Sequence, residues 1–121
     1  MRIAFIADPL ESFKIYKDST FAMMEEAARR GHSLYALLAE DMYVAAGVVR
    51  AKVSPISLTG HEDWFVRGAA EDCALLAFDA VVMRKDPPFD AEYLYATHLL
   101  SLAETQGARV FNRGQALRDY N

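Results

Sequence analysis

Short, continuous apolar runs recur along the chain, and the segments between them carry apolar residues at every third or fourth position. Four such runs, at residues 2–8, 32–41, 78–84 and 108–112, are typical of strands that are buried on both faces of a parallel sheet. The first two runs are separated by a helical pattern, so the chain begins as strand, helix, strand, which normally forms a right-handed parallel crossover. At the other end of the sequence, the pattern from about residue 114 predicts the start of another helix.

Two helices are predicted from their caps and apolar spacing. Asp18, Ser19 and Thr20 offer N-cap side chains to a first helix, which extends to about Arg30 and ends at Gly31. Its apolar stripe is predicted to contain Phe21, Met24, Ala27 and Ala28.

The second helix is predicted over residues 91–106. Asp90 is its cap, Glu92 is acidic in its first turn, and Gly107 ends it. Its buried stripe is predicted to contain Ala96, Leu99, Leu100 and Ala103.

The segment between the second and third runs has a less regular pattern. β-rich pieces around Gly47 predict a hairpin or edge ribbon, and Pro55 is expected to keep the later piece at a sheet edge. Residues 59–72 are predicted to form a loop with a short helical turn. The whole order predicts an α/β fold, a Rossmann-like and mostly parallel sheet flanked by helices, with a β-ribbon insertion.

Composition and charge narrow the class of protein. The 121 residues suffice for one domain, and a net charge of −4 argues against nucleic-acid binding. No apolar run reaches the roughly 18 residues of a membrane span. The single cysteine, Cys73, excludes an internal disulfide, fits a reducing cytosol, and is expected to be a core or partly exposed residue rather than a nucleophile.

Charged side chains follow the predicted strands and precede the predicted helices. In a parallel sheet these positions share one edge, where ligands of open α/β folds bind. A small charged ligand would suit this rim, and the alternative is that its charges pair internally and the prolines at 87 and 88 only stop the strand. The rim residues are Asp8, Lys17, Asp18, Ser19, Arg84, Lys85, Asp86, Asp90, Asn112 and Arg113.

Common catalytic patterns are missing from the sequence. It contains neither a GxxxxGK[ST] phosphate loop nor a GxGxxG segment after the first strand. The three histidines, His32, His61 and His98, lack metal-ligand spacing, and Tyr93 and Tyr95 are expected to be packing residues. The sequence thus predicts a binding edge with no catalytic residue and no metal site of its own.

Several long segments resemble the N-terminal domain of bacterial glutathione synthetases. They are RIAFIADPLESFKIYKDST, KDSTFAMMEEAARRGH and VVMRKDPPFDAEYLYATHLLSLAETQGARVFNRGQALRDYN. The resemblance extends over nearly the whole chain and is weakest over residues 45–77. It implies a Rossmann-like pre-ATP-grasp domain spanning residues 1–121.

The resemblance also implies an activity. Enzymes of that family are ligases that join γ-glutamylcysteine to glycine in the cytoplasm, with ATP and Mg²⁺, through an acyl phosphate. Their nucleotide and metal sites belong mainly to later ATP-grasp subdomains, so this chain is expected to be an isolated N-terminal domain that is inactive alone. Family members commonly form homo-oligomers. The alternative is a non-catalytic small-molecule-binding or oligomerisation module.

The resemblance gives the rim residues a specific expected role. As motif positions, Lys17, Asp18, Ser19, Arg84, Lys85 and Asp86 are expected to line or shape one wall of the substrate cleft. Whether they contact the dipeptide or act as an interdomain hinge and latch is open at this point.

Overall fold

The computed structural model describes residues 1–15, 17–85 and 90–111. Asp86, the prolines at 87 and 88, Asn112, Arg113 and the helix predicted from residue 114 lie outside the described residues. The strands are β1 Arg2–Ile6, β2 Ser33–Leu37, β3 Met42–Ala45, β4 Val48–Leu58, β5 Phe65–Arg67, β6 Glu71–Ala74, β7 Ala80–Met83 and β8 Val110–Phe111. The helices are α1 Ser19–Arg29 and α2 Ala91–Thr105, and short 3₁₀ turns cover Leu10–Ser12, Ala39–Asp41 and Leu75–Ala77.

The sheet confirms the predicted α/β class and is mixed rather than purely parallel. Its order is β3-β4-β2-β1-β7-β8, with β5 and β6 both paired to β4. The pairs β1–β2, β1–β7 and β7–β8 are parallel, whereas every described pairing of β4 is antiparallel. The parallel strands form the Rossmann-like part, and the curled β4 region forms the predicted insertion.

The two helices cover opposite faces of the parallel strands. Side chains alternate along a strand, so Ile3 and Phe5 of β1 face one side and Ala4 and Ile6 face the other. The first pair packs in the hydrophobic cluster that contains α1, and the second pair packs in the cluster that contains α2. Each helix therefore buries its apolar stripe against its own face of the sheet.

Both predicted helix caps are confirmed. The Asp18 carboxylate accepts hydrogen bonds from the backbone N–H groups of Thr20 and Phe21, at 2.8 and 3.3 Å. The Asp90 carboxylate accepts one from Tyr93, at 2.9 Å. Gly31, at φ +86°, takes the left-handed conformation expected after α1.

The predicted stripes are confirmed for α2 and shifted for α1. In α2 the buried residues are those predicted. In α1, Met24 and Ala27 are buried as expected, but Thr20 and Met23 are buried as well. The predicted Phe21 and Ala28 are only partly buried.

The prediction that Pro55 lies at a sheet edge is wrong. Pro55 pairs with Tyr35 of β2 on one side, and its carbonyl accepts a hydrogen bond from Gly68 on the other, at 2.7 Å. The N and O atoms of a strand residue point to the same side, so the missing N–H of Pro55 faces Gly68 and costs the β2 pairing nothing.

The loop predicted for residues 59–72 is confirmed over residues 59–64 and 68–70. The predicted helical turn is wrong, because the rest of this region forms β5 and the start of β6. Trp64 is buried between the rings of Phe13, Phe21 and Phe65, whose centroids lie 4.7–5.3 Å from its own. This aromatic cluster anchors the segment to α1 and to the β1–α1 connection. Cys73 of β6 is half-buried, as expected.

Candidate active-site cleft at the carboxyl edge of the sheet

The topology changes direction between β1 and β7. From β1 the chain passes through α1 to β2 on one side, and from β7 it passes to α2 and then to β8 on the other. Adjacent parallel strands whose connections diverge in this way leave a crevice beyond their carboxyl ends, and ligands of open α/β sheets bind there. Asp8 and Lys85 are the second residues after the ends of these two strands.

A cavity of about 380 Å³ lies at this crevice, on the α2 side of the sheet. It falls within the usual size range of small-molecule sites, roughly 300–1,000 Å³. We call it the first chamber. Its walls come from the end of β1, the β2–β3 connection, the end of β7 and the first turns of α2. They are formed by Ala7, Asp8, Pro9, Leu38, Ala39, Glu40, Met42, Lys85, Ala91, Glu92 and Tyr95.

Lys85 and Asp8 form an ion pair in the wall of the first chamber. The Lys85 Nζ atom lies 3.6 Å from Asp8 Oδ1, and the two side chains are 21% and 32% exposed. A pair that is this long and this accessible to solvent contributes little stability. An anionic ligand in the chamber can therefore compete with Asp8 for the ammonium group.

The Arg84 side chain is buried behind the wall of the first chamber and does not line the chamber. It is 3% exposed, its Nε donates to Thr20 Oγ1 at 3.1 Å, and its Nη2 donates to Ser19 Oγ. Its backbone N–H donates to the carbonyl of Ile6, at 2.7 Å. Arg84 thus joins the end of β7 to β1 and to the first turn of α1.

Strand alternation explains why two adjacent cations have such different positions. Val82 belongs to the α1-side cluster and Met83 to the α2-side cluster. Continuing the alternation places Arg84 on the α1 side and Lys85 on the α2 side, where the first chamber lies.

The remaining predicted site residues are placed differently from one another. Ser19 accepts from Arg84, and Asp18 is occupied as the cap of α1. Lys17 is exposed, and none of these three residues lines a chamber described here. Asp86 lies outside the described residues. The structure therefore brings Ser19 to Arg84 and Asp8 to Lys85, and leaves Lys17 on the outside.

A second cavity, of about 280 Å³, adjoins the first on the α1 side of the sheet. We call it the second chamber. It shares four wall residues with the first, and Arg67 of β5 forms an ion pair with Glu11 there, with Nη1 2.9 Å from Oε2. The Arg67 hydrogen bond is the main reason that the pKa of Glu11 is lowered. Its walls are formed by Ala7, Asp8, Pro9, Leu10, Glu11, Ala36, Leu37, Leu38, Asp41, Ser54 and Arg67.

Several chamber residues were missed from the sequence. Tyr95 was expected to be a packing residue, and this is wrong, because it is 62% exposed and borders the first chamber. Tyr93 does pack against the core. Glu40 could have been found, since the segment that follows β2 must reach the same edge as those that follow β1 and β7. No sequence pattern indicated Arg67, because β5 itself was not predicted.

Across residues 1–15, 17–85 and 90–111, no three His, Cys, Asp or Glu side chains are grouped so that they could hold a metal ion. Within the same part of the chain, no helix combines the length and apolar character needed to cross a membrane.

The fold and the cleft define a Rossmann-like α/β domain with its ligand edge at a topological switch point. A sequence model of the family described as "Prokaryotic glutathione synthetase, N-terminal domain" matches residues 1–118, and the chain belongs to this family. The resemblance noted from the sequence is thereby confirmed.

Individual relatives agree with the family assignment. Proteins named glutathione synthetase from Ralstonia nicotianae and Neisseria meningitidis serogroup A are 55% and 53% identical to the chain over its whole length. A third, from Nitrosomonas europaea, is 50% identical over the whole chain. The alignments cover 38%, 40% and 39% of these relatives, so the chain spans about two-fifths of their length.

Proposed function

We propose that this chain is the N-terminal, substrate-side domain of a glutathione synthetase, spanning residues 1–121. The complete enzyme would ligate γ-glutamylcysteine and glycine, with hydrolysis of ATP to ADP and phosphate, in glutathione biosynthesis in the cytoplasm. The observation that carries this proposal is the chamber at the β1–β7 switch point, with Lys85 in its wall, in a chain of the glutathione synthetase family.

The adjacent cations Arg84 and Lys85 have different roles in this proposal. Lys85 faces the first chamber and orients a carboxylate of the dipeptide, which competes with Asp8 for the Lys85 ammonium group. Arg84 does not reach the ligand and keeps the wall in place through Ser19 and Thr20. The proposal thus gives substrate contact to Lys85, and it gives Arg84 a structural role within this domain in place of the interdomain hinge and latch.

ATP and Mg²⁺ are assigned to an ATP-grasp part that is not among these 121 residues. The described residues do not fit a Mg²⁺ site of their own, because they offer no group of three suitable ligands. The chain would supply one wall of the cleft and the ATP-grasp part the other. On this proposal the 121 residues alone are inactive.

A homo-oligomer is also part of the proposal. Large apolar side chains of α2 are exposed, among them Leu94 at 59% and Leu102 at 39%, which favours burial of this helix in an assembly. Sedimentation of the purified protein tests this point. A monomer at high protein concentration would contradict it.

The proposed activity is tested with two proteins, the 121-residue chain and a longer chain of the relatives' length that begins with it. Glutathione and phosphate are measured after incubation with both substrates, ATP and Mg²⁺. Only the longer protein is expected to form both products. If neither protein forms glutathione while the 121-residue chain still binds the dipeptide, a non-catalytic binding module is the better description.

A further inference from the structure

The second chamber repeats the chemistry of the first on the opposite face of the sheet. Among the described residues, each chamber has one cation in its wall, Lys85 in the first and Arg67 in the second, and each cation is paired with a carboxylate. The end of β1 separates the two chambers, and Asp8 belongs to the walls of both. A ligand that crosses this edge would meet a cation, an acid and a second cation in turn.

We propose that the second chamber is a carboxylate subsite, in which Arg67 holds one end of an amino-acid-type ligand whose other end lies beside Lys85. The ligand class is a small molecule with two carboxylates and an ammonium group between or beside them. The inference rests on the proposed function, because γ-glutamylcysteine is a molecule of this class. Its ammonium group suits the carboxylate of Asp8 on the shared wall.

The geometry of Arg67 leaves it able to bind a carboxylate while it holds Glu11. Its ion pair with Glu11 uses Nη1, and a guanidinium has five N–H donors on three nitrogens. The Arg67 guanidinium carbon lies 5.2 Å from the centre of the Phe65 ring, which supports the plane of the group. A planar, supported guanidinium is suited to two parallel hydrogen bonds to a carboxylate.

Glu11 makes the proposal testable, because it competes with the ligand for Arg67. The side chains of Arg67 and Glu11 are 42% and 63% exposed, so their ion pair contributes little to stability. Removing either partner breaks the pair, but only removal of Arg67 removes the ligand's binding group. Arg67→Gln and Glu11→Gln are therefore a matched pair of variants.

The experiment measures the affinity of γ-glutamylcysteine by calorimetry, in a chain of the relatives' length that carries this sequence. Arg67→Gln is expected to weaken binding about tenfold, the effect of losing a charge-assisted hydrogen bond. Glu11→Gln is expected to bind the dipeptide as tightly as the unaltered protein or more tightly. Arg67→Lys, which keeps the charge and loses the fork, is expected to fall between Arg67→Gln and the unaltered protein.

The same titrations with dipeptides in which one carboxylate is replaced by an amide identify the group that Arg67 binds. For one of the two amides, Arg67→Gln is expected to have no further effect. The proposal is overturned if both variants weaken binding by the same factor, which would show that only the ion pair matters. It is also overturned if Arg67→Gln leaves the affinity unchanged.

Failure of the proposed subsite can be distinguished from failure of the proposed function. If the unaltered longer protein makes glutathione and Arg67→Gln does so with an unchanged KM for the dipeptide, only the second subsite is wrong. If the unaltered protein neither binds the dipeptide nor makes glutathione, the proposed function and the subsite that rests on it are both wrong.

Discussion

The Nε atom of Arg84 lies 3.1 Å from Oγ1 of Thr20, a residue 64 positions earlier in the chain. This bond and the one to Ser19 fix the end of β7 against the first turn of α1. The same first turn is capped by Asp18, so the end of β7 is joined to the capped start of α1. A buried guanidinium in this position has to keep its acceptors, because an unsatisfied buried charge is costly.

Replacing Arg84 is therefore expected to reduce stability before it affects substrate binding. Arg84→Met should lower the free energy of unfolding by about 2–3 kcal/mol, since it removes two charge-assisted bonds and leaves two hydroxyls without their donor. Urea denaturation measures this loss. Thr20→Val, which removes one acceptor and keeps the side-chain shape, should cost about 1 kcal/mol. A fully stable Arg84→Met protein with a raised KM for the dipeptide would contradict the structural role.

Lys85 is expected to show the opposite behaviour. Lys85→Met should raise the KM for γ-glutamylcysteine about tenfold in the longer protein, because it removes the cation that faces the first chamber. The free energy of unfolding should change by less than about 1 kcal/mol, because the ion pair with Asp8 is long and partly exposed.

Lys17→Met is the matched control for Lys85→Met. It removes the same charge from the same rim, at a position that does not line either chamber, and the KM should stay the same. Equal changes in KM for both variants would show that only the overall charge of the rim matters.

Some features of the fold could be predicted because their causes are local. The caps and apolar spacing of α2 lie within one short segment, and its buried stripe was predicted correctly. The ligand edge followed from one rule, that strands of a parallel sheet end at the same side. This rule placed Asp8 and Lys85 together although 76 residues separate them in the sequence.

Other features depend on partners that are far away in the sequence. β4 is 11 residues long and pairs with four different strands, and nothing in its own residues shows where each partner joins. The strands β5 and β6 were missed for this reason, and with them Arg67 and the second chamber. The burial of Arg84 beside the accessible Lys85 could have been derived from strand alternation once the faces of β7 were assigned.

The exposed network of Tyr43, Arg50 and Asp72 predicts how stability varies with pH. The Asp72 carboxylate accepts hydrogen bonds from Tyr43 Oη and from Arg50 Nε, the latter at 2.7 Å. These two hydrogen bonds lower the pKa of Asp72 below its ordinary 3.8, and the bond from Tyr43 has the larger effect. The bond to Asp72 is also the main reason that the pKa of Tyr43 is raised above its ordinary 10.0.

The two shifts limit the stabilisation at both ends of the pH scale. The contribution of Asp72 is complete above its ordinary pKa of 3.8 and is lost as the pH falls through its lower folded value. That of Tyr43 is complete below its ordinary pKa of 10.0 and is lost as the pH rises through its higher folded value. The difference in denaturation midpoint between the unaltered protein and Asp72→Asn should therefore be constant at intermediate pH and shrink at both extremes. In a Tyr43→Phe background, the effect of Asp72→Asn on the midpoint should no longer shrink at alkaline pH. An effect of Asp72→Asn that is the same at every pH would argue against the network.

A side chain at Gly68 is expected to destabilise the protein while Pro55 is present. A Cβ atom added at Gly68 would lie 2.8 Å from Pro55 Cγ, and the Gly68 N–H is held at 2.7 Å from the Pro55 carbonyl. Since the proline ring has little freedom to move, Gly68→Ala should cost about 1–2 kcal/mol, the usual effect of overpacking. In a Pro55→Ala background the obstructing ring is gone, so the same substitution should cost about 1 kcal/mol less. Thermal or urea denaturation of the four proteins measures this coupling, and an equal cost of Gly68→Ala in both backgrounds would mean that the contact with Pro55 is not the cause.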